Sequence, residues 1–130
     1  MPIRGLRGAT VAAANTPDAI RCATRELLLA LIEANAVQVD DVASVIFTTS
    51  PDLTAEPPAR AARELGWEPV AMLCVGEMAA EDGLERCIRV LIHWHTSRRP
   101  DEVCHIYLRE AAHLRPDRAA APTAGGSGPD

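Results

Sequence analysis

Residues 17–35 place the strongest constraint on the fold of this 130-residue chain: they spell one long amphipathic helix whose apolar side must be covered by something else. Thr16 suits the N-cap, Pro17 the first helical position, and Asp18 the positive end of the helix dipole. Ile20, Ala23, Leu27, Leu28, Leu31 and Ile32 recur at helical spacing and form a single stripe. Such a helix is stable only against a sheet or another helix.

The flanking segments supply strands. Residues 3–11 form the first, despite two glycines, and strand alternation puts Arg7 opposite to Arg4, so only one of them easily enters a given site. Residues 42–49 are rich in β-branched side chains and end at the turn signal Ser50-Pro51-Asp52. Pro57-Pro58 opens a short helix running through Leu65, with Gly66 as its stop. The apolar run 69–75 is expected to be a buried strand, and 79–83 a loop. Residues 84–96 fit two templates: Leu84, Cys87, Ile88, Leu91 and Ile92 match a helix, while Ile88, Val90, Ile92 and Trp94 match a strand. Their β-branched density favours the strand, whose second face then carries Cys87, Arg89, Leu91, His93 and His95. A last strand is expected over 103–108.

This order predicts an α+β domain, a sheet with one long helix and a short helix on one face. Val45, Ile46, Phe47, Ile88, Val90 and Ile92 leave few polar positions for a solvated second face, so sheet faces are expected to pack between subunits. From Ala119 onward the chain is nearly all Ala, Pro, Gly, Ser and Thr, which predicts a domain over 1–118 and a mobile tail over 119–130.

A net charge of −5 argues against a nucleic-acid binder. All 13 cationic side chains are arginine, so every cationic position offers a planar fork suited to carboxylates. Cys22, Cys74, Cys87 and Cys104 form no C-x-x-C pair, which argues against a disulfide framework; Cys22 and Cys87 read as buried small hydrophobes. His93, His95 and Cys104-His105 invite a zinc reading, but their spacing fits no zinc pattern, and no metal is expected. With no apolar run of about 18 residues and no apolar leader, the expectation is a cytoplasmic protein.

Several segments, in order from residue 3 to about 117, resemble the monofunctional chorismate mutases that form trimers of pseudo-α/β-barrel shape. They are Ile3-Arg4-Gly5-Leu6-Arg7-Gly8-Ala9-Thr10, Ser50-Pro51-Asp52-Leu53, Pro58-Ala59-Arg60-Ala61-Ala62-Arg63-Glu64-Leu65, Cys74-Val75-Gly76-Glu77-Met78, Cys87-Ile88-Arg89-Val90, His105-Ile106-Tyr107-Leu108 and Leu114-Arg115-Pro116-Asp117. The resemblance implies a mixed-sheet homotrimer with sites at subunit interfaces, a chorismate substrate and no cofactor. It further implies that Arg7, Arg89 and Tyr107 hold the substrate, and that Glu77 and Cys74 contact its ring hydroxyl. Leu73, Val75 and Gly76 would line the pocket by their backbone, with Pro57, Ala59 and Arg60 beside it. Arg63, Leu114 and Arg115 would form the mouth. Pro57 stands where the family often has an aromatic residue, and Arg60 where lysine is common.

The chemistry implied is pericyclic: one C–O bond breaks as one C–C bond forms, with no proton transfer and no nucleophile. Catalysis then consists of holding a compact conformer and stabilising developing charge. A guanidinium fixed beside the ether oxygen binds the transition state better than the substrate, and Arg89 on its strand is the candidate. Taken singly, Arg89 is an ordinary strand arginine, Glu77 a solvated loop carboxylate, Tyr107 a core cap, Arg7 an interface ion-pair partner and Cys74 a packing residue. Trimeric enamine/imine deaminases share this general fold, and a non-catalytic binding trimer would also retain the residues. The combination Cys74-x-x-Glu77, Cys87-x-Arg89 and Tyr107 favours the mutase.

Overall fold

The computed structural model describes residues 1–79 and 83–114. Five strands, β1 (Ile3–Val11), β2 (Val42–Thr49), β3 (Ala71–Gly76), β4 (Cys87–His95) and β5 (Ile106–Tyr107), form one mixed sheet in the order β3-β2-β4-β1-β5. β4 runs antiparallel to both β1 and β2, while β2–β3 and β1–β5 are parallel pairs. The long helix α1 (Pro17–Asn35) and the single turn α2 (Ala59–Ala62) pack on one face.

Thr16 caps α1 as its sequence suggests, its hydroxyl accepting from Ala19 N–H at 3.1 Å. The predicted stripe is the buried side of the helix: Ile20, Ala23, Leu27, Leu28 and Leu31 are buried, and Ile32 is half-buried. Against it stand Leu6 of β1, Val45 and Phe47 of β2, and Val90, Ile92 and Trp94 of β4. Asn35 fastens the end of α1 to the approach of β5. Its amide donates to Cys104 O at 2.9 Å, and its carbonyl accepts from Cys104 N–H at 2.8 Å.

At Gly8 the helix side chains close directly over the sheet backbone. A Cβ there would lie 2.8 Å from Leu31 Cδ1, 3.1 Å from Leu27 Cδ1 and 3.2 Å from the Ile106 carbonyl oxygen.

Several expectations are corrected. The segment expected as a buried strand over 69–75 is β3, an edge strand over Ala71–Gly76 that is largely exposed. β3 borders only β2: Leu73 and Val75 project on the uncovered face and Cys74 is exposed on the other, while Met72 packs against the core. The short helix is shorter than expected. α2 spans four residues, and the chain continues through one wide turn at Arg63–Trp67 with Gly66 inside it at φ 97°, a left-handed conformation that glycine tolerates. The last strand pairs only at Ile106–Tyr107, and the chain turns at Arg109 (φ 53°) into the 3₁₀ turn Arg109–Leu114. Cys22 is exposed on α1, not buried, whereas Cys87 is buried. The expected tail over 119–130 and Arg115 lie outside the described residues. No helix among the described residues is long and apolar enough to cross a membrane.

Replacing Gly8 by alanine should lower unfolding stability by roughly 1–3 kcal/mol, because the leucines and a backbone carbonyl must give way. Gly5→Ala, whose Cβ would meet only Leu91 at 3.5 Å, serves as the comparison. Equal denaturation midpoints for the two variants would contradict this account of the helix–sheet contact.

Candidate active site

Strand alternation divides the candidate residues between the two sheet faces. Leu6, Gly8 and Thr10 of β1 align with Ile92, Val90 and Ile88 of β4 on the helix side. Arg7 lies opposite Leu91 and Ala9 opposite Arg89, so Arg7 and Arg89 are diagonal neighbours on the uncovered face. One register row runs Tyr107, Ala9, Arg89, Thr48, Val75 across all five strands. Arg4 turns to the other side, its Nε donating to Arg98 O at 3.0 Å. The expectation that Arg4 and Arg7 diverge therefore holds.

Glu77 follows directly on β3. Its backbone N–H donates to Thr49 O at 2.9 Å, which ties it to the end of β2. Its carboxylate meets Arg89, with Nε to Oε2 at 3.0 Å, and Thr48 Oγ1 donates to the same oxygen. The Arg89 side chain keeps 45% of its surface exposed. Arg7 carries a guanidinium with no carboxylate of the described residues within ion-pair range, while its backbone N–H donates to His105 Nδ1 at 3.0 Å. Tyr107 is buried with Ala9, Val11 and Ala111, and Leu84 and Leu114 pack on the same cluster.

Cys74 points to the helix side of β3 and is exposed there. It lines a hollow of about 210 Å³ with Thr49, Leu53, Pro57, Val75 and Gly76. Ala59 is buried in the core, so only its backbone could line a site. Arg60 is engaged by Glu56 at 3.5 Å and by Glu64 at 3.8 Å, and Arg63 is exposed. Leu73 and Val75 are exposed apolar side chains on the uncovered face. One chain thus joins Arg89, Glu77, Arg7 and Tyr107 on one face, and Cys74 with Pro57 on the other.

A family model described as chorismate mutase type I matches residues 3–118. The chain belongs to the type I chorismate mutase family. It is 48% identical over 120 residues to chorismate mutase AroH of Thermus thermophilus, covering 92% of this chain and 98% of that protein. It is 42% identical over 118 residues to chorismate mutase AroH of Bacillus subtilis (strain 168), covering 90% and 93% of the two chains. A solved chorismate mutase from Clostridium thermocellum superposes with a TM-score of 0.83 at 40% identity, covering 85% of this chain and 99% of that one. As a member of this family the enzyme is an isomerase that rearranges chorismate to prephenate.

The start of β4, two residues before Arg89, is pinned by a clamp that the sequence did not announce. Ser50 N–H donates to Cys87 O at 3.0 Å, and Cys87 N–H donates to Ser50 Oγ at 2.9 Å. Ser50 Oγ donates in turn to Asp52 Oδ1 at 2.6 Å, and Asp52 also accepts from Arg86 N–H at 2.9 Å. Arg86 itself sits at φ 52° and donates from Nε to Ala12 O at 2.9 Å. Burial pushes the Cys87 thiol up, with Arg89 pulling the other way, so the thiol stays protonated beside the site. Thr48 was also missed. Only its register opposite Arg89 marks it, and register is not visible without strand pairing.

Among the described residues no group of three or more His, Cys, Asp or Glu side chains could hold a metal ion. His93 Nδ1 is 3.1 Å from Ser44 Oγ, and His105 accepts from Arg7.

The Ser50 hydroxyl, then the Arg86 N–H, hold the Asp52 carboxyl below its ordinary range. A depressed folded-state pKa contributes stability that is complete above the unfolded value, about 4, and is lost as pH falls through the folded one. Asp52→Asn should therefore lower the melting temperature at neutral pH and flatten its decline between about pH 5 and 3. Parallel acid limbs for variant and parent would assign the acid sensitivity elsewhere.

Proposed function

We propose that the rearrangement takes place on the uncovered sheet face around Arg89. The observation that carries this reading is the Arg89–Glu77 pair, which holds a guanidinium by its Nε on a side chain that is 45% exposed, with the two terminal nitrogens as the further donors of the fork. Those nitrogens would meet the ether oxygen of chorismate as the C–O bond stretches and negative charge gathers there. That contact is stronger in the transition state than in the ground state, so it raises turnover and not merely binding. Glu77 would accept a hydrogen bond from the ring hydroxyl and favour the positive charge that develops on the ring fragment. Arg7, one diagonal step away, would engage a substrate carboxylate, with Tyr107 beside it. Cys74 would contribute a weak hydrogen bond or packing from the edge of β3. Pro57, Arg60 and the backbone around Leu73, Val75 and Gly76 would line the pocket, with Arg63, Leu114 and Arg115 at its mouth.

A rate gain at the low end for enzymes asks for about 8 kcal/mol. One donor aimed at developing negative charge supplies about 3–4 kcal/mol, leaving conformer selection and carboxylate clamping to provide the rest.

The site is completed by a second copy of the chain in a homotrimer. Two features support this. The dianion would otherwise lie on an open surface, and that surface carries Ile3, Leu73 and Val75 at 51%, 63% and 46% exposure beside half-buried Ile46 and Leu91. Apolar area of this kind is characteristic of a subunit contact.

In the purified protein, Arg89→Ala should lose at least about two orders of magnitude in kcat, followed by the fall in chorismate absorbance without added cofactor. Arg89→Lys should also be poor, because a point charge replaces a fork. Turnover near that of the parent in either variant would remove Arg89 from the centre of the reaction. Leu73→Glu should shift the mass measured by light scattering from trimer towards monomer and reduce activity with it. A parent protein that is monomeric and fully active would exclude a site shared between subunits.

A further inference from the structure

The two intramolecular partners of Glu77 converge on one of its two oxygens. Arg89 Nε lies 3.0 Å from Oε2 as an ion-pair contact, Thr48 Oγ1 donates a hydrogen bond to the same oxygen, and no hydrogen bond of the described residues reaches Oε1. The two groups come from neighbouring strands, since Thr48 of β2 stands directly opposite Arg89 of β4. Thr48 is half-buried and is held on its other side by β3, opposite Val75.

We infer that Thr48 is a positioning residue for the mutase reaction: it locks Glu77 by Oε2 so that Oε1 is turned to the substrate's ring hydroxyl. The inference rests on the roles proposed above for Glu77 and Arg89. The last torsion of a glutamate side chain is broad and nearly two-fold, so one donor alone lets either oxygen swing outward. A hydrogen bond and an ion-pair contact on the same oxygen restrict that freedom before the substrate arrives, which is the condition for electrostatic preorganisation. Thr48 also relieves Arg89 of being the sole anchor of the carboxylate, so the guanidinium can answer to the ether oxygen without releasing Glu77. A threonine in a strand suits the task, because its branched Cβ restricts χ1 and so fixes the direction of the hydroxyl.

The role separates from simple packing by substitution. Thr48→Val keeps the shape and the strand preference and deletes only the hydroxyl. It should lower kcat about tenfold with little change in KM, as expected for losing one hydrogen bond to a charged group that matters most in the transition state. Thr48→Ser, which restores the donor, should return kcat to within about threefold of the parent. In a Glu77→Ala background, Thr48→Val should cost less than about a further twofold, because the hydroxyl acts through the carboxylate that is gone. Melting temperatures measured alongside report packing separately, and Thr48→Ala replaces Thr48→Val if the valine variant does not fold.

A Thr48→Val kcat within about twofold of the parent would overturn the inference, as would an equal loss with and without Glu77. If Glu77→Ala and Arg89→Ala both turn over like the parent, the reading of the whole site fails. If those two lose activity and Thr48→Val does not, only the role of Thr48 falls.

Discussion

The two-residue alternation of the central strand β4 governs the rest of the molecule. Ile88, Val90, Ile92 and Trp94 point into the core beneath α1, and Arg89, Leu91, His93 and His95 point the other way. A register slip of one residue would put Arg89 under the helix and Val90 on the surface, at the cost of a buried charge. The core that stabilises the fold and the guanidinium assigned to the reaction are therefore held by the same hydrogen-bond ladder. Neighbouring strands on both sides of β4 make that ladder hard to shift.

Charge is distributed along the same division. Beside α1 and α2, Glu56 accepts a two-point contact from Arg21 at 2.9 and 3.0 Å and also meets Arg60, while Glu64 lies within 4.0 Å of both arginines. The Glu56 carboxyl is held below its ordinary range, chiefly by the Arg21 hydrogen bond. On the uncovered face the balance differs. Arg89 shares Glu77 with Thr48, and Arg7 has no acidic neighbour among the described residues. Among the described residues Arg7 thus adds a guanidinium with no ion-pair partner to the face assigned to a dianionic substrate, although the protein as a whole carries a charge of −5.

Much of this was legible in the residues. The α1 stripe followed from local periodicity, its Thr16 cap from residue type, the strand β4 from β-branched density where periodicity fitted helix and strand alike, and the opposition of Arg4 and Arg7 from alternation alone. What local pattern cannot convey is which neighbour a strand receives. The run 69–75 looks like a core strand by composition, yet β3 borders only β2 and stays exposed. Cys22 reads as a small hydrophobe, but it sits one position off the buried stripe of α1. Thr48 and the Ser50–Asp52 clamp depend on pairings between residues tens of positions apart. The candidate residues themselves were found through family motifs. In isolation Glu77 and Arg89 are unremarkable charges.

The placement of β4 has a further consequence for how the chain acquires its shape. β1 and β2 run parallel to each other with a gap between them, and only a segment from the last third of the sequence fills it. Until that segment arrives, neither earlier strand has its principal partner, and α1 has no continuous surface to lie on. Contacts between positions as distant as Ile3 and His95 must form before the sheet is whole, which makes assembly slow and strongly cooperative. During synthesis the first two strands must wait with open edges, and they close only when the strand bearing Arg89 slides between them.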